Sequence, residues 1–146
     1  MTDTIAAQNP AVRLKSAVPT FLVADVGRTA EWYAEALGFH TAGSFPAQEP
    51  LVYASLERDG VELMLLRLPG YQKRDLSALR PEGVWDAYVR MQGVEAFYEA
   101  VRGQPFILAP LTKQSYGDWE FVVRDPNGYI LVFSELSEGV PGTRAT

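Results

Sequence analysis

Hydrophobic and polar positions in the first half of the chain predict a strand, a helix and three further strands. The segment from Ala17, AVPTFLVADV, alternates between the two classes and is rich in β-branched and aromatic residues, as strands are. The next segment, GRTAEWYAEALG, has helical spacing, and its inward face holds Thr29, Trp32, Tyr33, Ala36 and Leu37. Asp25 can cap this helix and Gly38 can end it. FHTAGSF, EPLVYASLER and VELMLLRL then predict three strands, the last two joined by a two-residue turn at Asp59-Gly60.

The second half of the chain repeats this order of elements. VWDAYVRMQ predicts a strand, VEAFYEAVRG a helix that Gly103 closes, and QPFILAP another strand. GDWEFVVRD and YILVFSE predict a final pair of strands across a Pro126-Asn127-Gly128 turn. The predicted organisation is two tandem βαβββ modules with flanking segments: a flexible leader over 1–16, a first module over 17–67, a polar connector over 68–83, a second module over 84–136 and a tail over 137–146.

Two βαβββ units in tandem resemble the vicinal oxygen chelate superfamily, which includes glyoxalase I, extradiol dioxygenases and bleomycin-resistance proteins. The resemblance covers residues 17–136. It is carried by VADV before the first helix, by WYAEALGF, and by DPNGYILV, in this order and spacing. It implies an α+β fold in which each module supplies four strands to a curled, cup-shaped mixed sheet. One face of that sheet packs on the helices and the other lines a cup.

Composition and charge narrow the possible partners. An apolar fraction of 47% with 12% aromatic residues is ample for a packed core in 146 residues. The net charge of −5, without a basic block, argues against nucleic acid and against an anionic membrane surface as partners. The absence of cysteine excludes disulfides and thiolate metal sites. With no apolar run long enough for a signal peptide or a membrane span, we expect a cytoplasmic protein.

The resemblance also implies where a metal would be held, on the first and last strand of each module. Those positions are Val18, Met64, Asp86 and Val132. Only the aspartate is a ligand for a hard or borderline cation, so no metal and no cofactor is expected. The single histidine, His40, falls on the second strand, outside the ligand set. Glu62 lies on the same strand face as Met64, so with Asp86 it could bring two carboxylates to the cup, or it could be solvated at the rim.

Period-2 alternation predicts which side chains line the cup. Asp86, Tyr88 and Arg90 share one face of their strand, and Ala87, Val89 and Met91 share the other, helix-facing side. The other cup-facing positions are Val18, Thr20 and Leu22 on the opening strand, and Ile130, Val132 and Ser134 on the closing strand. Arg90 should pair with Asp86 or Glu62, or meet an anionic ligand group, because an unpaired buried cation is costly.

Among aromatic residues, Tyr53 and Trp119 are candidates for the cup, although the sequence leaves their facing open, and Trp85 should sit at the mouth. Aromatic side chains at such positions can equally be ordinary core. The predicted ligand-binding set is Tyr53, Glu62, Trp85, Asp86, Tyr88, Arg90 and Trp119, and no catalytic residue is predicted.

The pattern is closest to the bleomycin-resistance-type members of the superfamily. This resemblance implies a metal-free homodimer that sequesters a small organic compound, an antibiotic being one candidate, in an aromatic-lined cup shared between subunits. The alternative is a metal-dependent glyoxalase-type lyase or isomerase, or a dioxygenase. A third reading is a domain that binds no ligand and acts only through its dimer surface.

Overall fold

A computed structural model describes residues 9–137, which form two helices and eight strands. In chain order these are β1 (Thr20–Val23), α1 (Val26–Leu37), β2 (His40–Phe45), β3 (Tyr53–Arg58), β4 (Val61–Arg67), β5 (Ala87–Arg90), α2 (Val94–Val101), β6 (Ile107–Lys113), β7 (Trp119–Arg124) and β8 (Ile130–Glu135). Residues 1–8 of the predicted leader and 138–146 of the predicted tail lie outside the described residues. The order βαβββ occurs twice, so the predicted α+β fold of two tandem modules is confirmed.

Each module forms its own four-stranded mixed sheet. The strand orders are β1-β4-β3-β2 and β5-β8-β7-β6, with the first strand parallel to the last and the other pairs antiparallel. The registers are equivalent as well. In the first module Thr20 lies opposite Met64, and in the second module Tyr88 lies opposite Val132. Both residues of the second pair lie the same number of positions further along the chain than those of the first, so the first and last strands pair in the same register in both modules. Among the strands of residues 9–137, the two sheets stay separate and do not join into a closed barrel.

Local signals place the turn and the first helix where the sequence predicts them. Asp59 and Gly60 both have positive φ, 52° and 83°, which is the backbone that a two-residue hairpin turn requires. The Asp25 side chain accepts a 3.1 Å hydrogen bond from the Arg28 amide at the start of α1. Gly38, with φ of 76°, ends that helix in the left-handed conformation.

The second helix is capped from a distant strand. Its N-cap residue is Gly93, which has no side chain to offer. The carboxylate of Glu135, at the end of β8, accepts hydrogen bonds from the amides of Gly93 and Val94, at 2.9 and 3.0 Å. The first ionisable residue after the long apolar run of β8 therefore satisfies the exposed donors at the start of α2.

The helix-facing sides of both sheets share one hydrophobic core. Buried residues of this core come from both modules, including Tyr33 of α1 and Phe121 of β7. Trp32 of α1 packs edge-on against Phe106 of the second module, with ring centroids 5.4 Å apart. The other face of each sheet, which we call its open face, does not contribute to this core. No helix among residues 9–137 is both long enough and apolar enough to cross a bilayer.

Candidate ligand-binding site

Side-chain alternation on β5 directs a tyrosine and an arginine away from the core. Ala87 is buried in the core, and Val89 and Met91 pack against it. Tyr88 and Arg90 alternate with them and lie on the opposite, open face of the second sheet. The predicted facing of these five residues is confirmed.

The open face has its own buried floor on the central strand β8. Leu131 and Phe133 belong to the shared core. Ile130, Val132 and Ser134 are buried too, yet the two apolar residues among them lie outside the core cluster, because they occupy the other face of the strand. Side chains on both faces of β8 are therefore buried from solvent.

A carboxylate is held on this face by two phenols. Glu120 of β7 lies directly opposite Ser134 and is only 7% exposed. It accepts a hydrogen bond from Tyr88, and a second one of 2.6 Å from Tyr116 in the loop before β7. The Tyr88 oxygen also lies 3.2 Å from the hydroxyl oxygen of Ser134. We call Tyr88, Tyr116, Glu120 and Ser134 the Glu120 cluster.

The two phenols remain hydrogen-bond donors at physiological pH. Partial burial and the bond to Glu120 raise the pKa of Tyr88. Partial burial is also the largest cause that raises the pKa of Tyr116, with Glu120 again adding to it. Because both hydroxyl groups stay protonated, each donates its hydrogen to the Glu120 carboxylate. The other lone pairs of the carboxylate remain as acceptors for a ligand.

Arg90 has a different partner from the two that the sequence suggested. Its Nη1 lies 3.6 Å from Oδ2 of Asp118, which is fully buried, and its guanidinium stacks over the ring of Tyr88 at 5.3 Å. The expected pairing with Asp86 or Glu62 is wrong. Asp86 immediately precedes β5 and Arg90 ends it, four residues or about 13 Å apart, so they serve opposite ends of the sheet.

The two carboxylates proposed as a pair have separate partners. Asp86 accepts a 2.9 Å hydrogen bond from the Ile130 amide and lies 3.2 Å from the Lys73 ammonium group, so it anchors the start of β5. Glu62 accepts a 2.6 Å hydrogen bond from the Ser55 hydroxyl on the open face of the first sheet.

A cleft of about 320 Å³ between the modules brings several predicted residues together. Its lining includes Val18, Glu62, Tyr88 and Arg90. Trp85 stands next to this group, with its ring 6.1 Å from that of Tyr88 and with 48% of its surface exposed. The cleft therefore joins the Glu120 cluster, through Tyr88, to a carboxylate of the first module.

Tyr53 and Trp119, whose facing the sequence left open, lie elsewhere. Tyr53 is on the open face of the first sheet, where it pairs with Phe45 and Leu66. Trp119 alternates with Glu120 and so lies on the helix-facing side, at the edge of a cavity near the start of α2. Trp119 is therefore separate from the Glu120 cluster.

Comparison with known proteins identifies the family. The model of the Glyoxalase/Bleomycin resistance protein/Dioxygenase superfamily matches residues 15–133. The chain belongs to this superfamily. No curated protein sequence matches it.

Solved structures with low sequence identity share the superfamily fold. A glyoxalase-related enzyme from Clostridium phytofermentans has a TM-score of 0.67 and 16% identity, over 87% of this chain and 98% of the other. TioX from Micromonospora sp. ML1 has a TM-score of 0.63 and 18% identity, over 86% and 99%. A bleomycin-binding protein from Streptomyces verticillus, complexed with copper(II)-bleomycin, has a TM-score of 0.59 and 18% identity, over 86% and 98%.

The donor set does not fit the divalent metal that some members of this superfamily use. Val18, Met64 and Val132 offer no hard or borderline donor, and Asp86 is engaged by Lys73. Within residues 9–137, no group of three or more His, Asp or Glu side chains is arranged to hold a metal ion. His40 instead forms a pair with Glu57, at 3.1 Å.

Sequence reasoning missed Glu120 and Tyr116. The turn between β7 and β8 would have allowed the position of Glu120 to be predicted from the sequence. Arg124 lies opposite Ile130 across the Pro126-Asn127-Gly128 turn, and counting outward from this pair brings Glu120 opposite Ser134. Tyr116 lies in a loop, so no strand or helix periodicity predicts its contact with the sheet.

Proposed function

We infer that this protein binds a small organic compound in the cleft between its modules and holds it without a metal. The observation that carries this proposal is the Glu120 cluster, a nearly buried carboxylate held by two phenols, one of which, Tyr88, lines the cleft next to Trp85. Burying a carboxylate is costly unless it is well hydrogen-bonded. A ligand with a complementary group would use the acceptor positions that remain.

The charges around the cleft favour a ligand that carries a cationic group. Among residues 9–137, neither Glu62 nor Glu120 forms a salt bridge, whereas Arg90 is already paired with Asp118. The exposed ring of Trp85 and the ring of Tyr88 add faces on which a flat or cationic group can stack. The ligand class we propose is an aromatic or heteroaromatic compound with a protonated nitrogen.

Sequestration is the activity that these residues support best. The ligand positions of the superfamily's metal enzymes hold mainly apolar side chains here, which disfavours a metal-dependent lyase, isomerase or dioxygenase. Two of the similar structures are of bleomycin-binding proteins with bleomycin bound. Their likeness supports the fold as a suitable scaffold for holding an organic compound.

A homodimer is part of this proposal. The open face of the first sheet exposes large apolar side chains: 39% of Leu22 and 66% of Phe45 are accessible. A second copy that covers this face would bury them and deepen the cleft. Sedimentation equilibrium of wild type and of Phe45→Ser tests this. A wild-type monomer at micromolar concentration would contradict the dimer.

The binding proposal is tested with a thermal-shift panel of cationic, neutral and anionic aromatic compounds that includes metal-free bleomycin. We expect cationic members to raise the melting temperature of the protein, since a ligand present at about one hundred times its Kd adds about 2.7 kcal/mol. Tryptophan fluorescence titration of a compound that binds should respond, because Trp85 adjoins Tyr88.

Two variants with the same change in net charge make the test specific. Glu120→Gln should weaken binding of a cationic compound about tenfold or more, since a hydrogen bond to a charged group contributes about 1.5–3 kcal/mol. Glu99→Gln changes an exposed carboxylate on α2 and should leave binding unchanged. Equal effects of the two variants, or tighter binding of anionic compounds, would refute the proposed site.

A further inference from the structure

A second cleft of about 380 Å³ lies between the modules on the helix-facing side. Its walls include the buried side chains of Leu37 and Phe133 and the half-buried side chains of Met91 and Phe97. This volume is in the range of small-molecule sites, and predominantly apolar walls are typical of them. The cleft adjoins the one described above and shares Val61, Val89 and Arg90 with it.

A fixed guanidinium stands at the rim of this second cleft. Arg58 stacks over the ring of Phe97, with its central carbon 5.1 Å from the ring centroid. Its Nη1 donates a 2.7 Å hydrogen bond to the carbonyl oxygen of Leu37, at the end of α1. These contacts come from both modules and hold the planar group in one orientation.

The arginine keeps donor capacity for a ligand. Its Nε lies 3.3 Å from Asp59, whose side chain is 86% exposed, so this ion pair is weak in water. Among the hydrogen bonds of residues 9–137, none uses Nη2 of Arg58. A carboxylate at the rim could therefore accept from Nη2 while an attached apolar chain entered the cleft.

We propose that the cleft between Arg58, Met91 and Phe97 binds an amphipathic monocarboxylate, with a medium-length aliphatic chain inside and the carboxylate on Arg58. The apolar walls select the chain, and the oriented guanidinium selects an anionic head group over a neutral one. This ligand class is opposite in charge to the one proposed for the Glu120 cluster, so the two clefts are distinguished by their ligands.

The test is isothermal titration of the full chain with decanoate and, separately, with decanol, both below their aggregation limits. We expect one decanoate per chain and an affinity for decanol that is at least about tenfold weaker. Arg58→Met keeps the aliphatic stem but removes the donors, and should reduce decanoate affinity about tenfold or more while leaving decanol binding unchanged. Arg102→Met is the matched control, because Arg102 likewise stacks on an aromatic ring of α2, that of Tyr98, outside the cleft.

Arg58→Met also loses the hydrogen bond to Leu37 and could unfold for that reason. A second variant therefore tests the cleft without changing Arg58. Met91→Trp fills the cleft, keeps Arg58, and should abolish binding of both probes. Glu120→Gln should leave decanoate affinity unchanged, which separates this proposal from the preceding one. No saturable decanoate binding, equal affinity for decanoate and decanol, or unchanged binding in Met91→Trp would overturn it.

Discussion

The hydroxyl of Tyr33 donates a 2.7 Å hydrogen bond to the carboxylate of Asp125, and both groups are buried. Tyr33 belongs to α1 of the first module, whereas Asp125 begins the turn between β7 and β8 of the second. The other oxygen of Asp125 accepts from the amides of Asn127 and Tyr129. One aspartate therefore shapes the turn of the second module and ties it to the helix of the first.

Removing this link should destabilise the protein. Tyr33→Phe deletes the donor and leaves the Asp125 carboxylate buried with one partner fewer, so we expect a loss of about 1.5–3 kcal/mol in the free energy of unfolding. Urea denaturation measures it. Tyr98→Phe is the control, because no hydrogen bond among residues 9–137 uses the Tyr98 hydroxyl. Equal losses in the two variants would contradict a specific role for the link.

The buried aspartate should also make stability depend on pH. Burial is the largest influence on Asp125 and raises its pKa, although its hydrogen bonds oppose the shift. A carboxyl group whose pKa is higher in the folded than in the unfolded protein stabilises the fold most at low pH, and this contribution disappears as pH rises through the folded-state pKa. We therefore expect the stability of wild type relative to Asp125→Asn to increase as pH falls from 7 through the raised folded-state pKa of Asp125 toward the ordinary carboxyl value of 3.8. A relative decrease would mean that the hydrogen bonds lower the pKa instead.

The distant cap of α2 predicts a local stability effect. Glu135→Ala removes the acceptor for the amides of Gly93 and Val94 and should cost about 0.5–2 kcal/mol, the usual range for loss of a helix cap. Glu135→Gln keeps a carbonyl oxygen and should cost less. Chemical denaturation checks the order, and faster amide hydrogen exchange at Val94 in Glu135→Ala should accompany it. A larger loss in Glu135→Gln than in Glu135→Ala would refute the capping role.

Chelators should not affect the purified protein. With apolar or soft side chains at Val18, Met64 and Val132, we expect no stoichiometric zinc, nickel, iron or manganese after dialysis, measured by plasma mass spectrometry. Addition of EDTA should leave the melting temperature unchanged. A metal ion retained at one per chain and lost in Asp86→Ala would show that the donor set is larger than proposed.

The sequence by itself determined the repeated order of elements and the side of the strand that Tyr88 and Arg90 occupy. Both follow from local rules. Asp25 and Gly38 cap a helix, Asp59-Gly60 favours a tight turn, and alternate residues of a strand face opposite ways wherever that strand lies.

Only the tertiary structure decided which side chains meet on the open face. Arg90 pairs with Asp118 and Glu120 binds Tyr116, because the end of β5 and the loop before β7 reach the same end of the sheet. Such contacts depend on the register between strands and on the path of a loop, and a shift of one residue reverses every facing. The same dependence places Trp119 on the helix-facing side and Glu120 on the open face, where it meets Tyr88. Periodicity alone assigns a residue to one of two faces, and it is the pairing with neighbouring strands that gives that face its chemistry.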